Sequence, residues 1–288
     1  MHYVDYLYIE RMNKTEKNCI ICNNSTKIIM NDKILGKYNI DYFFCNNCKC
    51  IFTESPYWIE EAYNDSISVT DTGIMLRNFE ICNDLFSIIK RYFNNNIKVL
   101  DYGGGYGILT RMLRDKGVDT YWSDKYSENL LAKGFEYDGF SKMDITLAFE
   151  VLEHLPYPFE TIKEIMSKTD CFIFSISPLK KFDYTSNTEW WYFSPETGQH
   201  IFLPSKQTLY WIAKQINCNY YNVLGLHIIS RKIKFLKLKR FDLFLRKLVR
   251  IANKRFLSNK KFVSKTWDDN LYMKNRLNIK FQKENIPK

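Results

Sequence analysis

Val99-Leu-Asp-Tyr-Gly-Gly-Gly-Tyr-Gly107 decides how this chain folds, because an apolar strand there runs into a glycine-dense turn and then a helix. The strand, Lys98 to Leu100, follows an asparagine-rich turn at Asn94 to Asn96. The helix carries its spacing from Ile108 to Lys116 and stops at Gly117, a residue suited to a helix C-terminus. Gly103, Gly105 and Gly107 thus sit where a strand hands over to a helix N-terminus. Without Cβ atoms the backbone there can approach a ligand closely. The unpaired N–H groups and the positive end of the helix dipole favour an electron-rich or anionic group.

The glycine spacing separates two cofactor classes. A dinucleotide fingerprint, G-x-G-x-x-G, would place its third glycine at position 108, where this chain has Ile108. The pattern is instead D-x-G-x-G-x-G, and it resembles the first motif of the class I S-adenosylmethionine (SAM) dependent methyltransferases. The resemblance implies that Asp101 holds the amino group of the methionine part, with Tyr102, Gly103, Gly105 and Gly107 along the cofactor. A second acid, Asp124, ends the next apolar stretch, Val118 to Ser123, at the distance where Rossmann-like folds grip ribose hydroxyls. A glycine-rich turn without a ligand would leave both acids unexplained.

Further on, Asp144-Ile-Thr-Leu-Ala-Phe-Glu-Val-Leu-Glu-His-Leu-Pro-Tyr-Pro158 resembles the fourth-strand motif of the same methyltransferases. Ile145 to Phe149 supply a buried strand, and Glu150 marks its C-terminal end, the edge where open α/β sheets bind ligands. The resemblance implies that Glu150 faces the methionine or the methyl centre. Glu153 and His154 begin a loop leading to a helix opened by Pro158. His154 also reads as a hydrogen-bonding residue that positions this loop. A related group of small-molecule O-methyltransferases uses a Glu-x-x-Glu-His cluster for a divalent cation, which makes Glu150, Glu153 and His154 candidate ligands.

Composition agrees with a globular enzyme. The 288 residues, 45% hydrophobic, are enough to bury one full α/β core and carry appendages. No run of about twenty apolar residues occurs, and Met1 to Glu10 lack a basic start followed by an apolar core, so a cytoplasmic protein is expected. In that compartment the eight cysteines are not read as disulfides. Four are organised as Cys19-x2-Cys22 and, twenty-two residues later, Cys45-x2-Cys48. Two such knuckles complete the tetrahedral thiolate shell of a closed, structural Zn2+ site, and the apolar mass from Cys19 to Phe52 is too small to fold without it. Cys50 lies beside the site, while Cys82, Cys171 and Cys218 fall in apolar segments and read as core.

The remaining elements alternate. An amphipathic helix is expected over Ile74 to Phe93, with Leu76, Phe79, Leu85, Phe86 and Ile89 on or near one face. A helix over Phe159 to Lys168 precedes a buried strand, Cys171 to Ser177, and Ser205 caps a helix reaching about Ile216. Tyr220 to Leu224 and Leu226 to Ser230 form a closing antiparallel pair around Gly225. The fold expected is α/β: a Rossmann-like, doubly wound, mainly parallel sheet of seven strands, its third strand short or irregular between Phe135 and Phe140. A zinc-binding module would occupy residues 1–60, the methyltransferase domain 61–232 and a basic amphipathic helical tail 233–288.

Between the fifth strand and the capped helix lies Glu189-Trp-Trp-Tyr-Phe-Ser-Pro-Glu-Thr-Gly-Gln-His200. Its aromatics have flat apolar faces and polar edges suited to sugar rings, so Trp190, Trp191, Tyr192, Glu196 and Gln199 are candidate substrate contacts. His200, the histidine of this segment, is the candidate base for the acceptor proton, with Glu150 as a second candidate catalytic residue. A structural role for His200, with Trp190 and Trp191 covering the sheet, is the plainer alternative. Together, the four-cysteine module, the class I core and Gly-Gln-His-Ile-Phe-Leu-Pro-Ser resemble bacterial methyltransferases of polysaccharide and nucleotide-sugar pathways. The deoxysugar C-methyltransferases are similar too, but they carry a Glu-His pair where this chain has Gln199-His200, and they have a further C-terminal domain. Those departures favour O-methylation.

The charge is uneven. From Arg231 to Lys265 fourteen basic residues face one acid, Asp242, so the net +10 of the chain is local. Phe241, Phe244, Leu245, Leu248, Val249 and Ala252 recur at helical spacing among Arg246, Lys247, Arg250 and Lys254. Such a helix suits an anionic membrane surface, with a peripheral location at the inner face of the membrane. Docking on the core, or nucleic-acid binding through phosphates, would use the same residues. Three function classes follow. They are a sugar O-methyltransferase (with the C-methylating variant), an RNA methyltransferase using tail and zinc module, and a non-catalytic SAM-binding scaffold.

Overall fold

A computed structural model of the protein describes residues 17–63, 71–94, 96–179, 190–235 and 266–276. The chain begins with β1 (Thr26–Ile34), β2 (Tyr38–Cys45) and β3 (Ile51–Thr53), followed by the short helix α1 (Ile59–Ala62). The long helix α2 (Ile74–Tyr92) leads into β4 (Lys98–Tyr102), α3 (Ile108–Asp115), β5 (Asp119–Ser123) and β6 (Ile145–Ala148). A single 3-10 turn, Leu152–His154, precedes α4 (Pro158–Lys168) and β7 (Cys171–Phe174). The chain continues through β8 (Phe202–Leu203), α5 (Lys206–Gln215), β9 (Asn219–Val223) and β10 (Leu226–Ser230), and α6 (Thr266–Arg276) is the last described element.

The larger sheet has the order β5-β4-β6-β7-β10-β9. Its first four strands pair in parallel, and β10 runs antiparallel to both β7 and β9. All residues of β6 and β7 are buried, as expected of interior strands covered on both faces. Helices α2 and α3 pack on one face through Cys82, Leu85, Ile88, Leu109 and Leu113. Helices α4 and α5 cover the other through Ile162, Ile165, Leu209 and Ile212. The result is an α/β fold with a mostly parallel central sheet, as the sequence patterning leads one to expect. On α2, Leu85 and Ile89 are buried as the spacing suggests, but Leu76 and Phe79, in its first turns, are exposed.

Six strands form this sheet among the described residues, not the seven expected. The third strand is reduced to one parallel bridge between Trp122 and Glu136, closed by hydrogen bonds from Trp122 N–H to Phe135 O and from Tyr137 N–H to Trp122 O. The local sequence prevents extension. Gly134 enters with a positive φ, and Asp138 Oδ1 accepts the N–H groups of Phe140 and Ser141, turning the chain away within two residues.

The second sheet, β1-β2-β3-β8, joins the cysteine-bearing segment to the rest of the molecule, because β8 comes from residues far beyond the boundary expected at 60. Side chains reinforce the junction. Trp58 Nε1 donates to Gly198 O (2.8 Å), Gln199 Nε2 to Ala62 O (2.7 Å) and Thr208 Oγ1 to Cys48 O (2.8 Å). Tyr42, Phe44, Phe52 and Trp58 share a core with Tyr192, Phe193 and Phe202. Among the described residues no helix is long and apolar enough to cross a membrane. The expected basic helix over 241–254 lies outside the described residues.

Two glycines with similar backbones offer a test of packing in this fold. Gly103 (φ +72) and Gly117 (φ +85) both occupy the left-handed region, but a Cβ on Gly103 would lie 2.5 Å from Val151 Cγ2, whereas nothing lies within 4 Å of one on Gly117. Gly117→Ala should therefore cost about 1 kcal/mol of backbone strain. Gly103→Ala should cost about 2 kcal/mol more, through overpacking against a stiff β-branched side chain. Equal losses by urea denaturation would contradict this account of the turn.

Candidate active site

The glycine turn is shaped by three left-handed glycines that do different things. Besides Gly103, packed on Val151, Gly107 (φ +84) forms the N-cap of α3, where a Cβ would meet Asn129 Oδ1 at 2.9 Å and the backbone of Ala132 at 3.2 Å. Gly105 (φ +53) is the open one, with no atom within 4 Å of a Cβ. A ligand can thus reach bare backbone at Gly105, while its two neighbours hold the bend. Trp122 Nε1 donates to Gly105 O (2.8 Å), and Asp124 Oδ2 accepts from Gly105 N–H (2.9 Å). Asp124 Oδ1 also accepts from the N–H groups of Tyr126 and Ser127 (2.7 and 2.8 Å). Asp124 is therefore a strut of this turn that retains further acceptor capacity for hydroxyls.

Asp101 stands at the C-terminal end of β4, 2% exposed. The Thr110 hydroxyl donates to its Oδ2 at 2.7 Å, yet burial dominates and pushes its carboxyl up to about 6. A carboxylate held in this way is relieved by an arriving cation. The ammonium group of SAM supplies one, so the open backbone at Gly105 and the buried acid beside it fit that cofactor. Tyr102, half-buried, ends the same strand.

The second half of the site forms where β6 ends. Glu150 adopts a left-handed conformation (φ +55), stabilised by Ser175, which accepts from Glu150 N–H (2.8 Å) and donates to its Oε1 (2.6 Å). Burial, then the nearby charge of Glu153, raise the Glu150 carboxyl, and Arg77 opposes them. Arg77, in the first turn of α2, is clamped by Asp71 through two hydrogen bonds of 3.0 and 2.7 Å. Glu153 is fully buried. Its Oε1 accepts from Tyr192 Oη (2.7 Å), and its Oε2 has no partner among the described residues. His154 Nδ1 lies 3.1 Å from Gln199 O and His200 Nδ1 lies 2.6 Å from Tyr192 O, with the two rings 5.0 Å apart, edge to face. Burial, then the neighbouring His200, push His154 down to about 3, so its ring stays neutral. Tyr63 links the halves. It stacks on Tyr126 at 4.8 Å and meets His154 edge-on at 6.0 Å.

The structure thus gathers Glu150, Glu153, His154, Tyr192 and His200, and disperses the other candidates of the aromatic segment. Tyr192 is buried with its hydroxyl on Glu153, whereas Trp191 is 66% exposed and Trp190 half-buried. Glu196 pairs with Lys274 of α6 at 3.1 Å, and Gln199 is held on Ala62 O. Arg77, Tyr63 and Ser175 were not picked out from the sequence. Ser175 alone carried a signal, as a polar residue directly after a buried strand whose C-terminal end borders the ligand edge.

In the cysteine-bearing sheet, Cys19, Cys22, Cys45 and Cys48 bring their sulfur atoms within 4.8 Å of one another, with Cys22–Cys45 at 3.4 Å and Cys19–Cys48 at 3.5 Å. A tetrahedral Zn–S shell has edges of about 3.8 Å, so the donor set fits such an ion. Cys50, fully buried, places a fifth sulfur 3.6 Å from Cys19 and 3.5 Å from Cys48. Cys82 and Cys171 are buried core residues and Cys218 is half-buried.

A family model described as a methyltransferase domain matches residues 76–223, slightly over half of the chain, and the chain belongs to that family. It is a SAM-dependent methyltransferase. Solved structures of similar fold include the magnesium protoporphyrin IX methyltransferase of Synechocystis PCC 6803 with bound SAH, 18% identical over 59% of this chain and 90% of that one (TM-score 0.40). An O-methyltransferase family 2 protein from Planctomyces limnophilus DSM 3776 is 14% identical over 61% and 65% (TM-score 0.39). An O-methyltransferase family protein from Burkholderia thailandensis is 9% identical over 67% and 66% (TM-score 0.43). No curated protein matches the sequence.

The burial of Asp101 gives a pH-dependent prediction. Its folded pKa, about 6, exceeds its unfolded value, so the unfolded chain releases the proton first and stability declines as pH rises from about 4 to about 6. Asp101→Asn should remove this decline, raising stability at pH 7 by about 1 to 3 kcal/mol while weakening SAM binding at least about tenfold. Urea melts at pH 4 and 7 and calorimetric SAM titration check both, and a variant less stable at pH 7 than the parent would count against the assignment.

Proposed function

We propose that the protein O-methylates a sugar, either in a nucleotide sugar or in a nascent cell-surface glycan. The observation that carries this reading is the convergence of Glu150, Glu153, His154 and His200 where β6 ends, beside the exposed Trp191 and half-buried Trp190. SAM supplies an activated methyl group; the task of the protein is to align the acceptor and control its proton. Asp101, Tyr102, Asp124 and the backbone at Gly105 hold SAM. His200 is the residue on which removal of the acceptor proton depends. Its Nδ1–H is spent on the Tyr192 carbonyl, which leaves Nε2 as the reactive nitrogen. Trp190 and Trp191 offer the aromatic faces to which a sugar ring binds.

Cys19, Cys22, Cys45 and Cys48 bind a structural zinc ion in this reading. The ion reaches the reaction indirectly, because the sheet it secures includes β8, two residues after His200. The basic stretch 231–265, of which 236–265 lies outside the described residues, suits a lipid-linked acceptor, since its charge would hold the enzyme at an anionic leaflet.

His200→Ala should lower methyl transfer to a nucleotide-sugar or glycan acceptor by about a hundredfold or more while leaving SAM affinity nearly unchanged. Radiolabelled transfer and SAM calorimetry test it, and full transfer by the variant would remove His200 from the reaction. Elemental analysis of the purified chain should find one tightly held zinc, and Cys45→Ser should lose both the zinc and the cooperative melting of the chain. Zinc-free protein with unchanged melting would refute the structural role.

A further inference from the structure

The cluster at the end of β6 contains more ligand capacity than proton transfer requires. A carbonyl oxygen can only accept a hydrogen bond, so the contacts of His154 Nδ1 with Gln199 O and of His200 Nδ1 with Tyr192 O fix the proton of each ring on Nδ1. On both rings the nitrogen left is Nε2, whose lone pair takes no hydrogen bond among the described residues. Metal-bound histidines are held in this way, their other N–H donated to a carbonyl that fixes tautomer and ring orientation. The third member meets the same description. Glu153 is fully buried, one oxygen is anchored by the Tyr192 hydroxyl, and the other is an orphaned buried acceptor among the described residues. Leaving such an oxygen without a partner is costly, and a ligand that supplies positive charge resolves it. One donor atom from each of Glu153, His154 and His200 lies within 4.8 Å of the others.

We infer that Glu153, His154 and His200 form a second metal site, separate from the four cysteines, for a divalent first-row transition ion whose open positions take neighbouring oxygens of the acceptor. Two imidazoles and one carboxylate suit Mn2+, Fe2+, Co2+ or Zn2+ better than the all-oxygen sites favoured by Ca2+ and Mg2+. Glu150, the other acid of the Glu-x-x-Glu-His pattern, is no member of this group: the donor atoms that meet within 4.8 Å come from Glu153, His154 and His200, while one Glu150 carboxylate oxygen is engaged by Ser175. Its place is taken by a residue forty-six positions beyond His154 in the chain.

Three protein ligands leave room for a chelating pair, so the site selects an acceptor with two adjacent oxygens, such as a vicinal diol. This part rests on the reading of the protein as a sugar O-methyltransferase. It also specifies how His200 acts. As a ligand it holds the ion that makes the bound hydroxyl more acidic, and the proton passes to solvent.

The test uses the full-length chain with its cysteine-bound zinc in place, freed of weakly held ions and titrated with Mn2+. Electron paramagnetic resonance of free Mn2+ should show one saturable site per chain. Glu153→Gln, His154→Ala and His200→Ala should each weaken it at least about tenfold, whereas Glu150→Gln should leave it within about threefold. In the unsubstituted protein Mn2+ should broaden the imidazole resonances of His154 and His200 and leave that of His227 sharp. That measurement needs no variant to fold. Absence of saturable binding, or broadening that spares His154 and His200, would overturn the site. SAM titration of the ion-free chain reports the cofactor reading separately, so normal SAM binding without Mn2+ binding would discard the cation and keep the methyltransferase.

Discussion

The backbone of Ile201 ties the molecule together. Its N–H donates to the carbonyl of Glu153 (2.8 Å), and its carbonyl accepts from the N–H of Thr53 (3.1 Å). One residue thus connects the loop after β6 to the cysteine-bearing sheet, and its chain neighbour His200 is carried against His154. Both hydrogen bonds are buried between layers, where an unpaired backbone group costs far more than on the surface. The segment 190–203 is shaped by tight turns of its own, and these anchors with those of Trp58 and Gln199 fix where it lies against the rest of the molecule.

This arrangement explains why a small N-terminal module accompanies an otherwise ordinary Rossmann-like core. β3 receives β8 on one edge, and Tyr42, Phe44, Phe52 and Trp58 supply the apolar surface under Tyr192 and Phe193. The module therefore walls the side of the cluster that carries Tyr192 and His200. In the proposed reading, zinc on its thiol cluster would stabilise a sheet whose last strand begins two residues after His200, which would couple metal binding there to the geometry at His200.

At the ends of β4 and β6 a different logic holds, in which buried acids are kept at a cost to stability that cofactor binding would offset in the proposed reading. Asp101 is buried against its preference for water, and Glu150 is held in a left-handed backbone by Ser175. Both conflicts lie at the C-terminal edge of the parallel strands, where strained and poorly solvated groups are most useful to a ligand. Asp124 shows how economical the edge is, since one carboxylate braces Gly105 and the turn at Tyr126 and Ser127 together.

The sequence alone determined the class of fold and the local course of the glycine turn, because those depend on local order: an apolar strand, a turn that needs glycine, a helix start, an acid at a fixed offset. The strand expected over Lys98 to Leu100 runs on to Tyr102, the helix expected to reach Lys116 ends at Asp115, and Leu226–Ser230 falls where pattern and punctuation put it. The paired Cys-x2-Cys knuckles were legible for the same reason. The third strand was not, since Gly134 and Asp138 act through a positive φ and side-chain acceptance that no hydrophobic period reports. The cluster around Glu153, His154 and His200 was decided by tertiary structure. That Tyr192 turns its hydroxyl inward and that Glu153, His154 and His200 meet follow from β8 pairing with β3, Phe202 against Phe52 far back in the chain, and Glu196 is drawn to Lys274 of α6. Pairing over that distance is set by how two buried surfaces fit, and no spacing along the chain encodes it.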